Sequence, residues 1–341
     1  VSGDSGLTVN TTLDDSVTSI EAGDMTGGLA VSTGDVAVEN QDTDFSATTG
    51  SGGDSIGLSA IGGADASQAN ATITVSTGAG DDTVSGPGLS GVMNGDFAGT
   101  LTLDGGDGED TLALDIGGTS ANAQTAFQAL ENVTFTNFEN VDLNFTGTNA
   151  GELDGSIFDN LSSVTLTPDT GNATQNNFTL TDADQANRVT VVTTTGTANG
   201  SDPANQGDKA NIGNVSVEDF AGDSFTFELE GSNFDRNLGE NEAEVGQVDV
   251  AASTVNIEST FADSGVSANQ DFDPTLTQND KDNDPSVGTS ELVQNVIGNI
   301  GASDNETITS VAVSGDMGLN GTGSTVNFAD GDADAEDTLS L

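Results

Sequence analysis

The stretch Gly105-Gly106-Asp107-Gly108-Glu109-Asp110-Thr111-Leu112 is the part of the chain that decides its fold class. Glycines reach backbone conformations that are closed to other residues, and in such a turn they free carbonyl oxygens to face an ion. The aspartate supplies carboxylate oxygen, and the apolar residue after it points into a core. Calcium binds six to eight oxygens at about 2.3–2.6 Å, which stacked turns can supply from two layers. The stretch therefore predicts a calcium-binding turn followed by a short β-strand.

A second copy of the pattern is Gly78-Ala79-Gly80-Asp81-Asp82-Thr83-Val84, with Thr77 where the first stretch has its leading glycine. A third, Gly331 to Leu339, is degenerate because Ala335 stands where a glycine belongs. The first two lie about 27 residues apart, from Gly78 to Gly105, so they favour isolated calcium turns within a larger β framework over a tandem roll. Chance matches in a chain rich in Gly, Asp and Thr are the alternative. The predicted calcium-binding residues of the three copies are Gly78, Gly80, Asp82, Gly105, Gly106, Asp107, Gly108, Asp110 and Asp337.

Another acidic segment has the spacing of an EF-hand calcium loop. Asp280, Asp282 and Asp284 fall at positions 1, 3 and 5 of such a loop. Glu291 falls at position 12, where the bidentate ligand stands. Pro285 departs from the pattern, because position 6 calls for a glycine. The segment predicts a further calcium site with these four acidic ligands, and a solvated acidic loop is the alternative.

The charge of the chain limits its possible partners. Its 341 residues include 56 acidic and 4 basic side chains, a formal net charge of -52. Self-repulsion on this scale opposes folding, so the chain is expected to depend on bound divalent cations or on high salt. Nucleic acid is excluded as a partner, because too few side chains could meet phosphates. No apolar run approaches the ~18 residues of a membrane span, so no membrane insertion is expected.

The residue types that the chain lacks exclude several enzyme classes. Without histidine it cannot carry Ser-His or Cys-His catalysis or a histidine-ligated zinc site. The segment Gly53-Asp54-Ser55-Ile56 therefore only imitates the nucleophile region of a GDS-type esterase. The absence of cysteine excludes disulfides and thiolate metal sites and favours a place outside a bacterial or archaeal cell. A carboxylate-pair glycosidase is the least favoured reading, since Trp and Tyr are missing, and we expect no enzyme.

Short apolar segments between turns rich in Gly, Asp, Asn and Ser predict an all-β fold. Between 133 and 195 they recur about every ten to twenty residues, which favours β-solenoid or β-roll-like segments of parallel strands. A β-sandwich would give a similar pattern. Two short helices are expected, at 120–131 and 291–300. The predicted regions are 1–118 with the calcium turns, 119–200 with a helix and solenoid strands, and 201–341, β-rich with the acidic loop.

These features together resemble RTX-type bacterial surface-layer proteins and their type I-secreted relatives. The resemblance rests on the turns at 78–84 and 105–112 and on Asn137-Phe138-Glu139-Asn140-Val141-Asp142-Leu143, which looks like a coil of their β-solenoids. It implies calcium-driven folding outside the cell and self-assembly into a lattice or fibre, with cell-surface polysaccharide as a further candidate partner. Two alternatives remain: a segment of a large calcium-dependent adhesin, and a salt-adapted acidic archaeal envelope protein.

Overall fold

The protein has the all-β, parallel solenoid architecture that the strand and turn pattern predicts, as seen in a computed structural model. The structure describes residues 1–34, 44–59, 71–86, 99–117, 133–146, 151–168, 176–192, 210–231, 243–261, 294–303, 308–315, 318–320 and 338–340. Within these ranges the helical element is a single 3-10 turn, Gly155–Ile157. No helix in the same ranges is long and apolar enough to cross a membrane.

The strands are short in the N-terminal half of the chain and longer in the C-terminal half. The first sixteen are β1 Ser2–Gly3, β2 Leu7–Thr8, β3 Ser19–Glu21, β4 Asp24–Met25, β5 Leu29–Ser32, β6 Phe45–Thr48, β7 Ser55–Gly57, β8 Thr72–Ser76, β9 Thr83–Ser85, β10 Thr100–Asp104, β11 Thr111–Gly117, β12 Val133–Thr136, β13 Asn140–Thr146, β14 Gly151–Asp154, β15 Ser163–Thr167 and β16 Asn176–Thr181. The others are β17 Arg188–Val192, β18 Ala210–Val217, β19 Ser224–Gly231, β20 Ala243–Val250, β21 Thr254–Phe261, β22 Gln294–Ala302, β23 Ser310–Gly315, β24 Gly318–Asn320 and β25 Thr338–Ser340.

The chain divides into two compact units. The first comprises residues 1–165 and 180–186, and the second comprises 166–179 and 187–341, so the division falls within β15 and β16. The three regions predicted from composition are not tested by this division and stay a prediction.

In the first unit, each coil of the chain places one strand in each of two parallel sheets. One sheet has the order β3-β6-β8-β10-β12, and the other runs through β2, β5, β7, β9, β11 and β13. Equivalent strands of successive coils pair in parallel: Ile73 lies opposite Leu101, and Val84 opposite Leu112. Because strands on both sides are in register, the turn that joins them stacks on the equivalent turn of the next coil.

The core of this unit follows from the alternation of side chains along each strand. In β8 and β10, threonines alternate with Ile73, Val75, Leu101 and Leu103, and these four apolar residues are completely buried. Burying one such side chain contributes about 1.5–3 kcal/mol. Since parallel stacking puts each apolar residue on an apolar residue of the next coil, the core is continuous and holds the turns at its edge in fixed register.

In the second unit the same construction uses longer strands. One sheet has the order β18-β20-β22-β24, and the other β17-β19-β21-β23-β25. Val248 lies opposite Val215 on one side and Ile300 on the other, and all three are buried. Within the first of these sheets Gly298 packs so tightly on Gly246 that an added Cβ would collide with the Gly246 carbonyl oxygen.

The predicted helix at 291–300 is wrong, because residues 294–302 form strand β22. Ile297 and Ile300 are both buried, and their three-residue spacing imitates a helix face. In a regular strand, residues three apart point to opposite sides, but here Gly298 lies between them and changes the phase of the alternation. The same spacing recurs in the pair Val245 and Val248 of β20. The other predicted helix, at 120–131, lies outside the described residues.

The sequence pattern at 245–255 also reads as strand. The structure has two, β20 and β21, separated by residues 251–253. Five further segments that the sequence predicts as strands are confirmed in β5, β8, β10, β12 and β13: Leu29–Val31, Ile73–Val75, Leu101–Leu103, Val133–Phe135 and Val141–Phe145.

Candidate metal centre

Three turns of the first unit stack on one another; we call them the glycine turns, residues 49–54, 77–82 and 105–110. Each joins a strand of one sheet to a strand of the other, and backbone hydrogen bonds tie each turn to the next. The Ala79 amide donates to the Gly50 carbonyl at 2.8 Å, and the Asp107 amide donates to the Gly78 carbonyl at 2.9 Å. The stacking brings oxygen-rich backbone and one acidic side chain per turn into a column.

Glycine is required where these turns approach most closely. Gly78 and Gly106 have φ values of 92° and 95°, in the left-handed region that side chains disfavour. A Cβ added to Gly106 would also collide with the Gly78 carbonyl oxygen, and one added to Gly78 would collide with that of Gly50. The spacing between turns therefore depends on the absence of side chains at these positions.

The last residue of each glycine turn is a buried aspartate, and together Asp54, Asp82 and Asp110 form what we call the carboxylate column. The Asp54 amide donates to Asp82 Oδ1 at 2.7 Å, and the Asp82 amide donates to Asp110 Oδ1 at 2.8 Å. At the two ends, the Leu29 amide donates to Asp54 Oδ1 at 2.6 Å and the Asp110 amide to Glu139 Oε2 at 2.8 Å. One carboxylate oxygen of each aspartate thus accepts a hydrogen bond from a backbone amide of the preceding coil.

The second carboxylate oxygen of each aspartate has no partner. Oδ2 of Asp54, Asp82 and Asp110 is buried and accepts no hydrogen bond. The three residues are 3%, 1% and 0% exposed, so solvent does not reach these atoms. An unsatisfied buried polar group costs about 1–3 kcal/mol, and more when it is charged. Three such atoms in a row need a cation or protons to compensate them.

The surroundings of the column disfavour its negative charge. The pKa of Asp82 is raised to about 6. Burial is the largest cause and the charges of Asp54 and Asp110 add to it, while the hydrogen bond from the Asp54 amide and the Thr77 hydroxyl act in the opposite direction. Burial also raises the pKa of Asp110, and nearby acidic side chains, first Glu139, act in the same direction. The ionised forms of Asp82 and Asp110 are therefore disfavoured, and a bound cation would stabilise them.

Two threonine hydroxyls lie in the same turns but do not satisfy the aspartates. Thr49 Oγ1 donates to the Thr77 carbonyl at 2.6 Å, and Thr77 Oγ1 donates to the Gly105 carbonyl at 2.6 Å. A hydroxyl has one hydrogen to donate, so Thr77 cannot also donate fully to Asp82. In the third turn Gly105 replaces the threonine, and no hydroxyl is present at that position. The unpartnered oxygens therefore remain in every turn.

The structure brings together most of the residues that the sequence predicts as calcium ligands. Those of the second and third glycine turns stack as described: Gly78, Gly80, Asp82, Gly105, Gly106, Gly108 and Asp110. Asp107 is in the same turn, but its side chain is exposed, and only its backbone joins the stacking. Asp280, Asp282, Asp284, Glu291 and Asp337 lie outside the described residues. The loop at 280–291 stays a prediction, although strand β22 follows it instead of the helix expected after an EF-hand loop.

Sequence reasoning missed the first glycine turn. Thr49-Gly50-Ser51-Gly52-Gly53-Asp54-Ser55-Ile56 has the same Gly-x-Gly-x-Asp-x-apolar spacing as the other two turns, but Asp54 was considered only within an esterase-like tetrapeptide. The repeat length could have revealed it, because Asp54, Asp82 and Asp110 follow one another at intervals of 28 residues. Glu139 was also missed, since it lies in a segment without the glycines of the motif.

The column alone does not make a complete coordination shell. Among the described residues, no group of three or more acidic side chains is placed to hold a metal ion. Each turn contributes a single buried carboxylate to the column. The further oxygens of a calcium shell would have to be backbone carbonyls of the glycine turns or water. A carbonyl that accepts one hydrogen bond still has a second lone pair to offer.

Comparison of the chain with protein-family models, with curated proteins and with solved structures finds no match. The function therefore has to be argued from the carboxylate column and the glycine turns themselves.

Proposed function

We propose that the protein is a calcium-dependent extracellular structural protein that assembles with copies of itself, as a surface-layer or filament subunit. The observation that carries the proposal is the row of buried, unpartnered Oδ2 atoms at the ends of the glycine turns. Unpaired buried carboxylate oxygens are rarely tolerated, and oxygen ligands from carboxylates and backbone carbonyls are those that calcium prefers.

The residues present fit a calcium ion on these grounds. Asp82 and Asp110 would supply carboxylate oxygen, and the glycine turns around them would supply backbone oxygen. When bound, the ion supplies positive charge, which offsets the burial of the carboxylates and the repulsion between neighbouring turns. Because the complete set of ligands exists only in the folded coils, the free energy of binding is added to the free energy of folding.

The extracellular location rests on the kind of calcium site and on composition. Calcium sites of extracellular modules commonly have dissociation constants of about 10⁻⁴–10⁻³ M, a range suited to media in which the ion is abundant. A chain of net charge -52 without cysteine fits the same setting. A structural role, and not catalysis, is proposed because histidine is lacking and because the buried acids are bonded to backbone.

Light scattering on chelator-treated full-length protein, titrated with calcium at fixed ionic strength, tests the proposal. Magnesium is the control, because it demands a tighter octahedral shell and keeps its waters. Growth of large particles with calcium, and not with magnesium, is the expected result. Contraction to a compact monomer that never grows with protein concentration would favour an adhesin segment. Folding by molar KCl in the presence of chelator, with no response to calcium, would favour a salt-adapted envelope protein and overturn the calcium role.

A pair of variants tests the assignment of the ligands. Asp82→Ala and Asp110→Ala are expected to raise the calcium concentration at the midpoint of binding by at least tenfold, measured by isothermal titration calorimetry. The matched control is Glu152→Gln, at an exposed position of β14. A midpoint that stays unchanged in both alanine variants would show that these aspartates are not ligands.

A further inference from the structure

We propose that the carboxylate column holds three cations, the third of them bound at Asp54. This inference rests on the proposed calcium role and extends it to a site that neither sequence motif includes. The full match to the motif at 105–112 and the near match at 78–84 account for Asp110 and Asp82 only. Asp54 is recognised as part of the column only because the coils stack and bring it next to Asp82.

Asp54 has the same burial and hydrogen-bond geometry as the other two aspartates. It is 3% exposed, its Oδ1 accepts a backbone amide from the preceding coil at 2.6 Å, and its Oδ2 is buried without a partner. Its amide is bonded to Asp82, so the two side chains are consecutive members of one column. Whatever compensates Oδ2 of Asp82 should therefore be needed equally at Asp54.

The number three follows from where the column ends. In the coil before Asp54, the residue opposite Asp54 is Leu29. Its side chain is buried and has no oxygen that could bind a cation. In the coil after Asp110 the position is taken by Glu139, whose Oε2 accepts the Asp110 amide, but which follows no glycine turn. Unpartnered buried oxygens in the described residues are confined to the three aspartates. One cation for each of them gives three.

Direct hydrogen bonds between successive turns also couple the three sites. The amide of Asp54 is held by the side chain of Asp82, and the amide of Asp82 by that of Asp110. An ion that orders one carboxylate therefore orders the backbone of the neighbouring turn. Calcium binding by the column is expected to be cooperative, and Asp82, in the middle, couples the two ends.

The experiment counts calcium bound to the full chain by native mass spectrometry and follows binding by isothermal titration calorimetry, after removal of metal with chelator. Asp54→Asn keeps an oxygen that can accept the Leu29 amide but removes the charge. We expect it to bind one calcium fewer than the wild type, as Asp82→Asn does. The control Glu152→Gln should keep the wild-type count. A second variant, Asp54→Leu, guards against misfolding, because the chain already buries leucine at the paired position of the preceding coil.

The outcomes separate this inference from the proposed function. If Asp54→Asn and Asp54→Leu keep the wild-type count while Asp82→Asn loses one ion, the column binds calcium and Asp54 does not, and the inference is wrong. If the wild type binds no calcium, the proposed function fails as well. Loss of one ion in each Asp54 variant, with the control unchanged, would establish the third site.

Discussion

Replacing Asp82 by asparagine should change the stability of the protein in opposite directions with and without calcium. In the metal-free protein the carboxylate of Asp82 is an unfavourable charge, since burial raises its pKa from 3.8 to about 6. A raised pKa means that the folded state binds the proton more tightly than the unfolded state. The contribution that the protonated Asp82 makes to the free energy of unfolding is therefore lost as the pH rises from about 3.8 to about 6. At neutral pH this contribution is absent.

The size of this penalty follows from the pKa. A shift from 3.8 to about 6 corresponds to about 3 kcal/mol at neutral pH. Asparagine removes the charge and keeps an oxygen for the Asp54 amide, but it buries an amide group whose hydrogens lack acceptors, which costs about 1–2 kcal/mol. The expected net effect in chelator at pH 7 is a gain of about 1–2 kcal/mol. The gain should shrink below pH 4, where the wild-type carboxyl is protonated in both states.

With calcium the sign should reverse. A ligand at a hundred times its dissociation constant adds about 3 kcal/mol of stability per site. Asp82→Asn loses the binding free energy of one ion, about 3 kcal/mol, and keeps its gain of about 1–2 kcal/mol from the removed charge. It should therefore be about 1–2 kcal/mol less stable than the wild type in calcium.

Urea unfolding, followed by far-ultraviolet circular dichroism, measures the free energy of unfolding in chelator and in calcium. Circular dichroism is used because the chain has no Trp or Tyr for fluorescence. Glu152→Gln should stay within about 0.5 kcal/mol of the wild type in both conditions. A variant that is less stable than the wild type in chelator at pH 7, or more stable in both conditions, would refute the reasoning from the unpartnered carboxylate.

Three further outcomes are expected. Gly106→Ala should destabilise the protein by more than about 1 kcal/mol in calorimetry, because its φ of 95° and its close approach to the preceding turn exclude a side chain. Gly23→Ala, where a Cβ meets only ordinary contacts, should not. Calcium affinity should fall as the pH is lowered from 7 to 5, since protons compete for the column; equal affinity at both pH values in titration calorimetry would argue against the buried site. Arg188→Met should lower the free energy of unfolding in urea by about 1 kcal/mol, because Arg188 lies 2.6 Å from Glu228 and 2.8 Å from Glu258 and its loss leaves both carboxylates without their cation. No change at low salt would contradict this.

Much of the fold could be predicted from the sequence, because short strands with alternating apolar residues leave a local signal. β8 and β10 read directly from Thr-Ile-Thr-Val and Thr-Leu-Thr-Leu, and the turn at 105–110 from its glycines. The failure at β22 has a local cause as well, since the phase change at Gly298 gave Ile297 and Ile300 the spacing of a helix face. Pairing between strands 28 residues apart leaves only a weak trace in the sequence, so the order of the coils was not predicted.

The sequence by itself indicated two of the three glycine turns and predicted that the chain would form short strands between turns. These conclusions depend on residue type and near neighbours alone. Only the tertiary structure decided that Asp54 belongs with Asp82 and Asp110, that Glu139 and Leu29 end the column, and that one oxygen of each aspartate is left without a partner. The physical reason is that burial and hydrogen bonding of a side chain are set by the coils above and below it, and those coils come from residues 25 to 29 positions away in the chain.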